Sequence, residues 1–123
     1  MSLDIRLYLE ASTGIADETV EVYIDNIEDC YLNVTHNLGK MAKEVGLYTY
    51  LWRADELHSH QVEAWEIIYN VEQGLNELKH NPNKYKKFNP SNGWGTYDNL
   101  VEFTEKYLLC LKKYPKAKIE ISR

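Results

Sequence analysis

Four histidines and two cysteines are the side chains best suited to metal or nucleophilic chemistry in this sequence. His58 and His60 are separated by one residue, so an extended backbone would present both imidazoles to one metal ion. Structural zinc sites usually complete their ligand set with tightly spaced pairs such as C-x-x-C. Cys30 and His36 stand apart and provide no such pair. The sequence therefore predicts no metal site and no cofactor, and it places the two histidines in a loop near a helix start.

A catalytic cluster is a second reading of the polar residues. Glu28, Asp29 and His36 lie close together in sequence, where general acid and base groups could converge. Acidic residues are so frequent in this half of the chain that such a cluster is expected without catalysis. Neither cysteine has a histidine at a nucleophile spacing, and no G-x-S-x-G motif is present. We predict no catalytic residue, and a small hydrolase-like enzyme using His36 and nearby carboxylates stays the alternative.

The segment NPSNGWGTYDNL, residues 89–100, combines turn residues with an exposed-looking polar composition. Phosphate loops need converging backbone N–H groups and a helix N-terminus behind them, but neither of the familiar glycine-rich motifs occurs here. The structural interpretation gives Gly93 and Gly95 to a turn, Trp94 to the core and Thr96 to a helix cap. Ligand contact through Trp94 is the alternative interpretation.

Two aromatic segments suggest interaction surfaces. Lysines and rings alternate over residues 79–88, as in a surface that binds single-stranded nucleic acid. The sequence pI of about 5.3 opposes phosphate neutralisation, so nucleic acid is not expected as a partner. Residues Tyr48, Tyr50 and Trp52 are of types found at binding hot spots. They predict either core packing or a surface through which copies of the chain associate.

Strands are predicted where apolar residues alternate. Residues 3–9 and 20–24 form a hairpin whose second strand continues irregularly towards residues 30–34, and residues 118–121 form a third strand. The fold class is therefore α+β. A small antiparallel sheet, made of the N-terminal hairpin and the C-terminal strand, is covered by about three helices in one domain over residues 1–123.

Helices are predicted where the apolar period changes to three and four. The first runs from an N-cap at Thr35 to a stop at Gly46, and the third begins at Thr96. The second runs from a cap at Ser59 to about Lys79 and includes Trp65 on its inward face. Gly74 within this second helix costs about 1 kcal/mol relative to alanine, which suggests a close contact there. The residues between the first two helices predict a helical turn and a loop.

Composition restricts the setting. The N-terminus alternates polar and apolar residues and has no continuous apolar segment, so it does not resemble a signal peptide, and no run is long enough to span a membrane. Two cysteines do not make a disulfide framework, which predicts reduced thiols and a cytoplasmic protein. Residues 1–78 carry 4 basic and 15 acidic side chains, whereas residues 79–123 carry 10 basic and 4 acidic ones. We expect these opposite charges to meet in exposed pairs.

Three segments together resemble a family of small proteins encoded in phages, prophages and bacterial genomes. They are NVTHNLGKMAKEVGLYTYLWR, KKFNPSNGWGTYDNLVEF and AKIEISR, and THNLG and NGWGTY are their most specific parts. The resemblance covers about residues 30–123 and implies a phage or mobile-element accessory role without a particular activity. It points to six candidate site residues: His36, Asn37, Trp52, Arg53, Asn92 and Trp94.

The prediction from the sequence is a binding module. Its partner is a protein or a small polar ligand, held by THNLG and NGWGTY if the two segments meet in space. His36 and Asn37 would supply hydrogen bonds, Trp94 a stacking face and Arg53 a charge.

Overall fold

A four-stranded antiparallel sheet forms one layer of the computed structural model. The structure describes residues 2–12, 19–22 and 30–123. The strands are β1 (Ser2–Ser12), β2 (Thr19–Val22), β3 (Tyr31–Thr35) and β4 (Lys118–Ser122). Residues 4–6 of β1 pair with both β3 and β4, so these two strands lie on opposite edges of β1. The other end of β1 pairs with β2.

The alternating pattern of the sequence accounts for the central strand. Leu3, Ile5 and Leu7 are fully buried on the face that the helices cover. The predicted hairpin of β1 and β2 and the predicted C-terminal strand are confirmed. The expected irregular continuation towards residues 30–34 is wrong at its end, because β3 is a regular strand with its own register against β1. Leu32 and Val34 of β3 point into the core.

In the described part of the chain, five helices pack against the sheet and against each other. They are α1 (Gly39–Val45), α2 (Tyr48–Trp52), α3 (Ile68–His80), α4 (Pro82–Lys86) and α5 (Tyr97–Lys113). Single 3-10 turns cover His36–Leu38, Ala54–Glu56 and Ala64–Glu66. Two of the predicted caps are confirmed: Thr96 shares a capping box with Asn99, and Gly46 ends α1 with φ of 82°. The α+β fold class predicted from the sequence is therefore observed.

The predicted start of the second helix at Ser59 is wrong. The chain turns helical only at Glu63, whose side chain forms a reciprocal capping box with Glu66. The backbone N–H groups of Ala64 and Trp65 donate to carbonyls of residues 117 and 115, so this segment is held beside β4 before α3 begins. As a result Trp65 does not face inward, and 56% of it is exposed.

The expected close contact at Gly74 is present. Gly74 is buried on α3 against Leu47, the residue immediately before α2. A Cβ atom at Gly74 would lie 2.3 Å from Cδ2 of Leu47. The missing side chain therefore lets α3 approach the start of α2, which carries residues of the pocket described below.

A disulfide joins Cys30, just before β3, to Cys110 on α5, with a Cα–Cα distance of 5.7 Å. Both residues are buried. The prediction of reduced thiols is therefore wrong, and the argument that it supplied for the cytoplasm is lost. Across the described residues, no helix combines the length and apolarity that a membrane crossing requires.

The acidic and basic parts of the chain meet in exposed ion pairs, as expected. Nζ of Lys112 lies 2.7 Å from Glu72, and Nζ of Lys84 lies 3.8 Å from Glu77. Exposed pairs of this kind contribute about 0–1 kcal/mol each, so they explain the charge distribution without adding much stability.

Candidate functional site

A depression of about 490 Å³ lies between α1, α2 and the end of β4. Its wall contains one imidazole, two aromatic rings, one glycine and four cationic side chains. These residues are His36, Gly39, Lys40, Lys43, Tyr48, Trp52, Arg53 and Arg123, and we call them the basic pocket. The basic pocket brings together His36, Trp52 and Arg53 of the six predicted site residues.

His36 is positioned by local structure and by one long-range hydrogen bond. It opens the 3-10 turn after β3, where the Thr35 hydroxyl accepts a hydrogen bond from the Asn37 backbone N–H at 3.3 Å. The indole Nε1–H of Trp52 donates to Nδ1 of His36 at 2.9 Å. Indole nitrogen is only a donor, so the neutral imidazole carries its proton on Nε2. His36 can therefore donate a hydrogen bond to a ligand through Nε2.

Aromatic stacking fixes one wall of the pocket. Trp52 is 3% exposed, and its ring stacks on that of Tyr48 with centroids 5.5 Å apart. Nζ of Lys43 lies 4.5 Å from the centroid of the Tyr48 ring, a favourable cation–π distance. The rings therefore give Lys43 a preferred position at the pocket.

The two arginines of the pocket share the carboxylate of Glu56, and Arg123 also binds Asp55. Arg123 donates from Nη1 to both oxygens of Asp55, at 2.9 and 3.0 Å, and from Nη2 to Glu56 at 2.9 Å. It also donates to the Trp52 carbonyl at 3.2 Å. Nη1 of Arg53 lies 3.2 Å from the same Glu56. The Tyr48 hydroxyl and the Glu56 charge raise the pKa of Arg53 above its ordinary value.

Lys40 and Lys43 form no ion pair within the part of the chain that the structure describes. Each lies beside an aromatic ring, Phe88 for Lys40 and Tyr48 for Lys43. Among the described residues, the carboxylates paired with the cations of the pocket are Asp55 and Glu56, which hold the arginines. Two positive charges thus remain uncompensated beside the Nε2–H of His36. This arrangement suits an anion with several oxygen acceptors, such as a phosphate or a carboxylate.

The three other predicted site residues lie outside the basic pocket. Asn37 is exposed, and Asn92 accepts a hydrogen bond from the Trp94 backbone N–H at 2.9 Å. Trp94 is 71% exposed, so the interpretation of this residue as part of the core is wrong. Its exposed ring is free to contact a partner, although it does not face the pocket residues.

The THNLG and NGWGTY segments do meet. Gly95, with φ of 98°, packs so closely that a Cβ atom there would lie 2.6 Å from Cγ2 of Thr35. Thr35 and Gly95 also line a second depression, of about 400 Å³, between β3 and α5. THNLG therefore has one end in that depression and the other in the basic pocket.

Of the rings of Tyr85 and Phe88 in the basic segment at residues 79–88, the first is buried and the second is half-buried beside Lys40 and Lys87. Tyr85 is 2% exposed, and its hydroxyl donates to Glu77 at 3.1 Å. Lys79 and Lys84 are paired with Glu105 and Glu77. Nothing in this geometry favours a nucleic-acid surface.

The aromatic segment of α2 is mainly intramolecular. Trp52 is buried, whereas Tyr48 and Tyr50 are half-buried. Self-association through these residues stays a prediction. Glu28 and Asp29, the carboxylates of the hydrolase alternative, lie outside the described residues.

Lys40, Lys43 and Arg123 are the pocket residues that the sequence argument missed. A signal for two of them was present: residues 1–78 contain only four basic side chains, and Lys40, Lys43 and Arg53 are three of these. Three basic residues within 14 positions of an otherwise acidic half indicate a local binding site for negative charge. Arg123 had no such signal.

None of the protein-family models, curated proteins or solved structures compared with this chain matches it. The resemblance to phage and prophage proteins therefore stays a prediction, and the site is argued from its geometry alone.

Proposed function

We propose that this protein is a binding module whose basic pocket holds the anionic group of a small polar ligand. The observation that carries the proposal is the pair of uncompensated lysines beside His36 Nε2 and two fixed arginines. A volume of about 490 Å³ is within the usual range for small-molecule sites. An anionic side chain of a protein partner would use the same contacts.

Each group has a distinct role in this proposal. Lys40 and Lys43 neutralise the anion, and their flexible stems let them follow its shape. His36 donates one directed hydrogen bond through Nε2, while Trp52 holds the ring in place by its own hydrogen bond to Nδ1. Arg123 is fixed by Asp55, so it contributes positive potential without a large loss of side-chain entropy on binding.

The hydrolase alternative finds little support in this arrangement. The Nδ1 atom of His36 accepts from Trp52, which leaves no position for a carboxylate that would orient the ring. Asp55 and Glu56, carboxylates beside the pocket in the described part of the chain, are engaged by arginines. Binding without catalysis remains the proposal.

Inorganic phosphate is a suitable first probe of the basic pocket. We expect it to shift the Trp52 indole N–H resonance in a nitrogen–proton NMR spectrum, because this proton is bonded to His36. Lys43→Gln removes one charge-assisted contact and should weaken phosphate binding about tenfold, as expected for about 1.5 kcal/mol. Lys116→Gln is the matched control, since Lys116 is exposed and precedes the opposite end of β4.

His36→Asn separates the hydrogen bond from the charge. The asparagine amide oxygen can replace Nδ1 as the acceptor for Trp52, whereas nothing replaces Nε2. We expect weaker phosphate binding with an unchanged melting temperature. Equal affinity for phosphate in the wild type, Lys43→Gln and Lys116→Gln would refute the pocket as the site.

The biological setting, a phage accessory role in the cytoplasm, is a separate proposal. The phage accessory role is supported by the resemblance of THNLG and NGWGTY alone. The cytoplasmic location stays a prediction from the sequence, and the disulfide between Cys30 and Cys110 opposes it. Alkylation of the protein's thiols inside its native cells, before any reductant is added, tests the location. Alkylated Cys30 and Cys110 would support the cytoplasm, and unreactive cysteines would support an oxidising compartment.

A further inference from the structure

Two imidazoles and one carboxylate converge in the segment between α2 and α3. Nε2 of His60 lies 2.9 Å from Oε1 of Glu66, and Nε2 of His58 lies 3.8 Å from the same oxygen. The three possible ligand atoms all lie within 4.8 Å of one another. We propose that His58, His60 and Glu66 form a Zn²⁺-binding site, which shares no residue with the basic pocket.

The distances suit a tetrahedral ion after small movements. Zinc lies about 2.0–2.1 Å from histidine nitrogen and about 2.0–2.2 Å from carboxylate oxygen. Ligand atoms around such an ion are therefore roughly 3.4 Å apart. The two observed separations from Glu66 Oε1, 2.9 and 3.8 Å, lie on either side of this value. Movements of about half an ångström would bring the nitrogens of His60 and His58 to this distance from Glu66 Oε1. The largest separation within the cluster, at most 4.8 Å, would have to shorten by up to about 1.4 Å.

The carboxylate is already oriented by a second contact. Oε2 of Glu66 accepts a hydrogen bond from the backbone N–H of Glu63 at 2.8 Å, which leaves Oε1 for the imidazoles. A hydrogen bond of this kind fixes the orientation of a side chain that binds metal, and it raises the affinity for the metal.

The backbone around the ligands is fastened to the rest of the fold. Ala64 N–H donates to the Ala117 carbonyl at 2.8 Å, and Trp65 N–H donates to the Pro115 carbonyl at 2.9 Å. The rings of His58 and His60 stack with centroids 4.9 Å apart and planes 10° from parallel. Glu66 is thus held on a rigid turn, while the two imidazoles approach it from one side.

The ligand set favours a particular kind of site. Two histidines and one carboxylate leave a fourth position of a zinc ion to water or to another ligand. His58 and His60 are exposed, so solvent reaches this position. The sequence prediction of no metal depended on the lack of a third ligand at tight spacing, and Glu66, six residues after His60, supplies it.

Zinc titration of the tag-free protein, after a chelator has removed carried metal, tests this proposal. We expect isothermal titration calorimetry to show one Zn²⁺ per chain. Cobalt should give the intense visible absorption of a four-coordinate ion. His60→Ala and Glu66→Gln should each weaken zinc binding at least about tenfold, which is the lower range for loss of a supporting residue.

Two controls keep the result interpretable. Gln at position 66 can still accept from the Glu63 N–H, so Glu66→Gln should retain the melting temperature of the metal-free protein. His80→Ala removes an exposed histidine whose Nδ1 lies 2.7 Å from the Asn76 carbonyl, and it should bind zinc as the wild type does. The proposal is overturned if the wild type takes up no stoichiometric zinc, or if His60→Ala binds zinc no more weakly than His80→Ala.

Discussion

Gly74→Ala tests how α3 holds the helix that carries Tyr48 and Trp52. The added methyl carbon would lie 2.3 Å from Cδ2 and 2.4 Å from Cγ of Leu47. Carbon atoms in good contact are about 3.5–4.0 Å apart. Because Cγ is also too close, rotation about the Cβ–Cγ bond of Leu47 cannot relieve the overlap. Either α3 or the start of α2 must move.

The expected cost is the difference between two effects. Overpacking a core typically costs about 1–3 kcal/mol, and an overlap of more than 1 Å belongs at the upper end of that range. Alanine in place of glycine returns about 1 kcal/mol of helix propensity. We therefore expect Gly74→Ala to lower the free energy of unfolding by about 2 kcal/mol. In a domain of this size that corresponds to a melting temperature roughly 8 °C lower.

Urea unfolding of a double-mutant cycle measures the contact directly. Leu47→Ala alone leaves a cavity and should cost about 2–5 kcal/mol. In the double variant the new methyl group occupies vacated space. The loss of stability in the double variant should therefore be smaller than the sum of the losses in the two single variants. Gly39→Ala is the matched control, because a Cβ atom there would lie 3.8 Å from Tyr48, an ordinary contact. Unchanged stability of Gly74→Ala, or strict additivity with Leu47→Ala, would show that the overlap reasoning is wrong.

Two further predictions concern the disulfide and a buried phenol. The Cys30–Cys110 bond closes a sequence separation of 80 residues and should contribute about 2–4 kcal/mol; reductant should lower the melting temperature of the wild type but leave that of Cys110→Ala unchanged. Burial raises the pKa of Tyr107, so the unfolded state loses this proton first as pH rises above the ordinary value of 10.0. The contribution of protonated Tyr107 to the free energy of unfolding is fully present below pH 10.0 and should be lost as pH rises further. Tyr107→Phe should make this loss smaller in urea-unfolding measurements. Indifference of the wild type to reductant, or an alkaline fall unaltered by Tyr107→Phe, would contradict them.

Local signals in the sequence located several elements correctly. Thr96 and Gly46 act through groups within a few residues of themselves, so their cap roles follow from residue type and position. Ser59 had the same appearance and failed, because hydrogen bonds from residues 64 and 65 to the segment before β4 decide the local path. The preference of Ser59 for a helix start was overridden there by hydrogen bonds to residues about 50 positions later in the chain.

Strand β3 shows a signal that was present but incomplete. Leu32 and Val34 alternate with exposed neighbours, which is the pattern of a half-buried strand. Five residues are too few to separate a new strand from the continuation of an old one. The distinction comes from the register against β1, which starts with Ser2 opposite Thr35.

The basic pocket could be predicted only in part. His36, Trp52 and Arg53 were named from residue types and a resemblance, and the structure brings them to one depression. Their arrangement depends on a hydrogen bond across 16 positions, and Arg123 reaches Asp55 across 68. Periodicity relates residues within one element, so it carries no information about such pairs.

The position of β1 between β3 and β4 sets an order of assembly. Pairing of β1 with β4 joins residues 110 to 118 positions apart, so we expect the entropy of loop closure to place it late in folding. Until then, residues 4–8 expose an unpaired strand edge, which is a template for aggregation. Arg123 directly follows β4, so the same late step that protects this edge also completes the basic pocket. An anion bound there would select chains with a finished sheet and shift the population away from aggregation-prone intermediates.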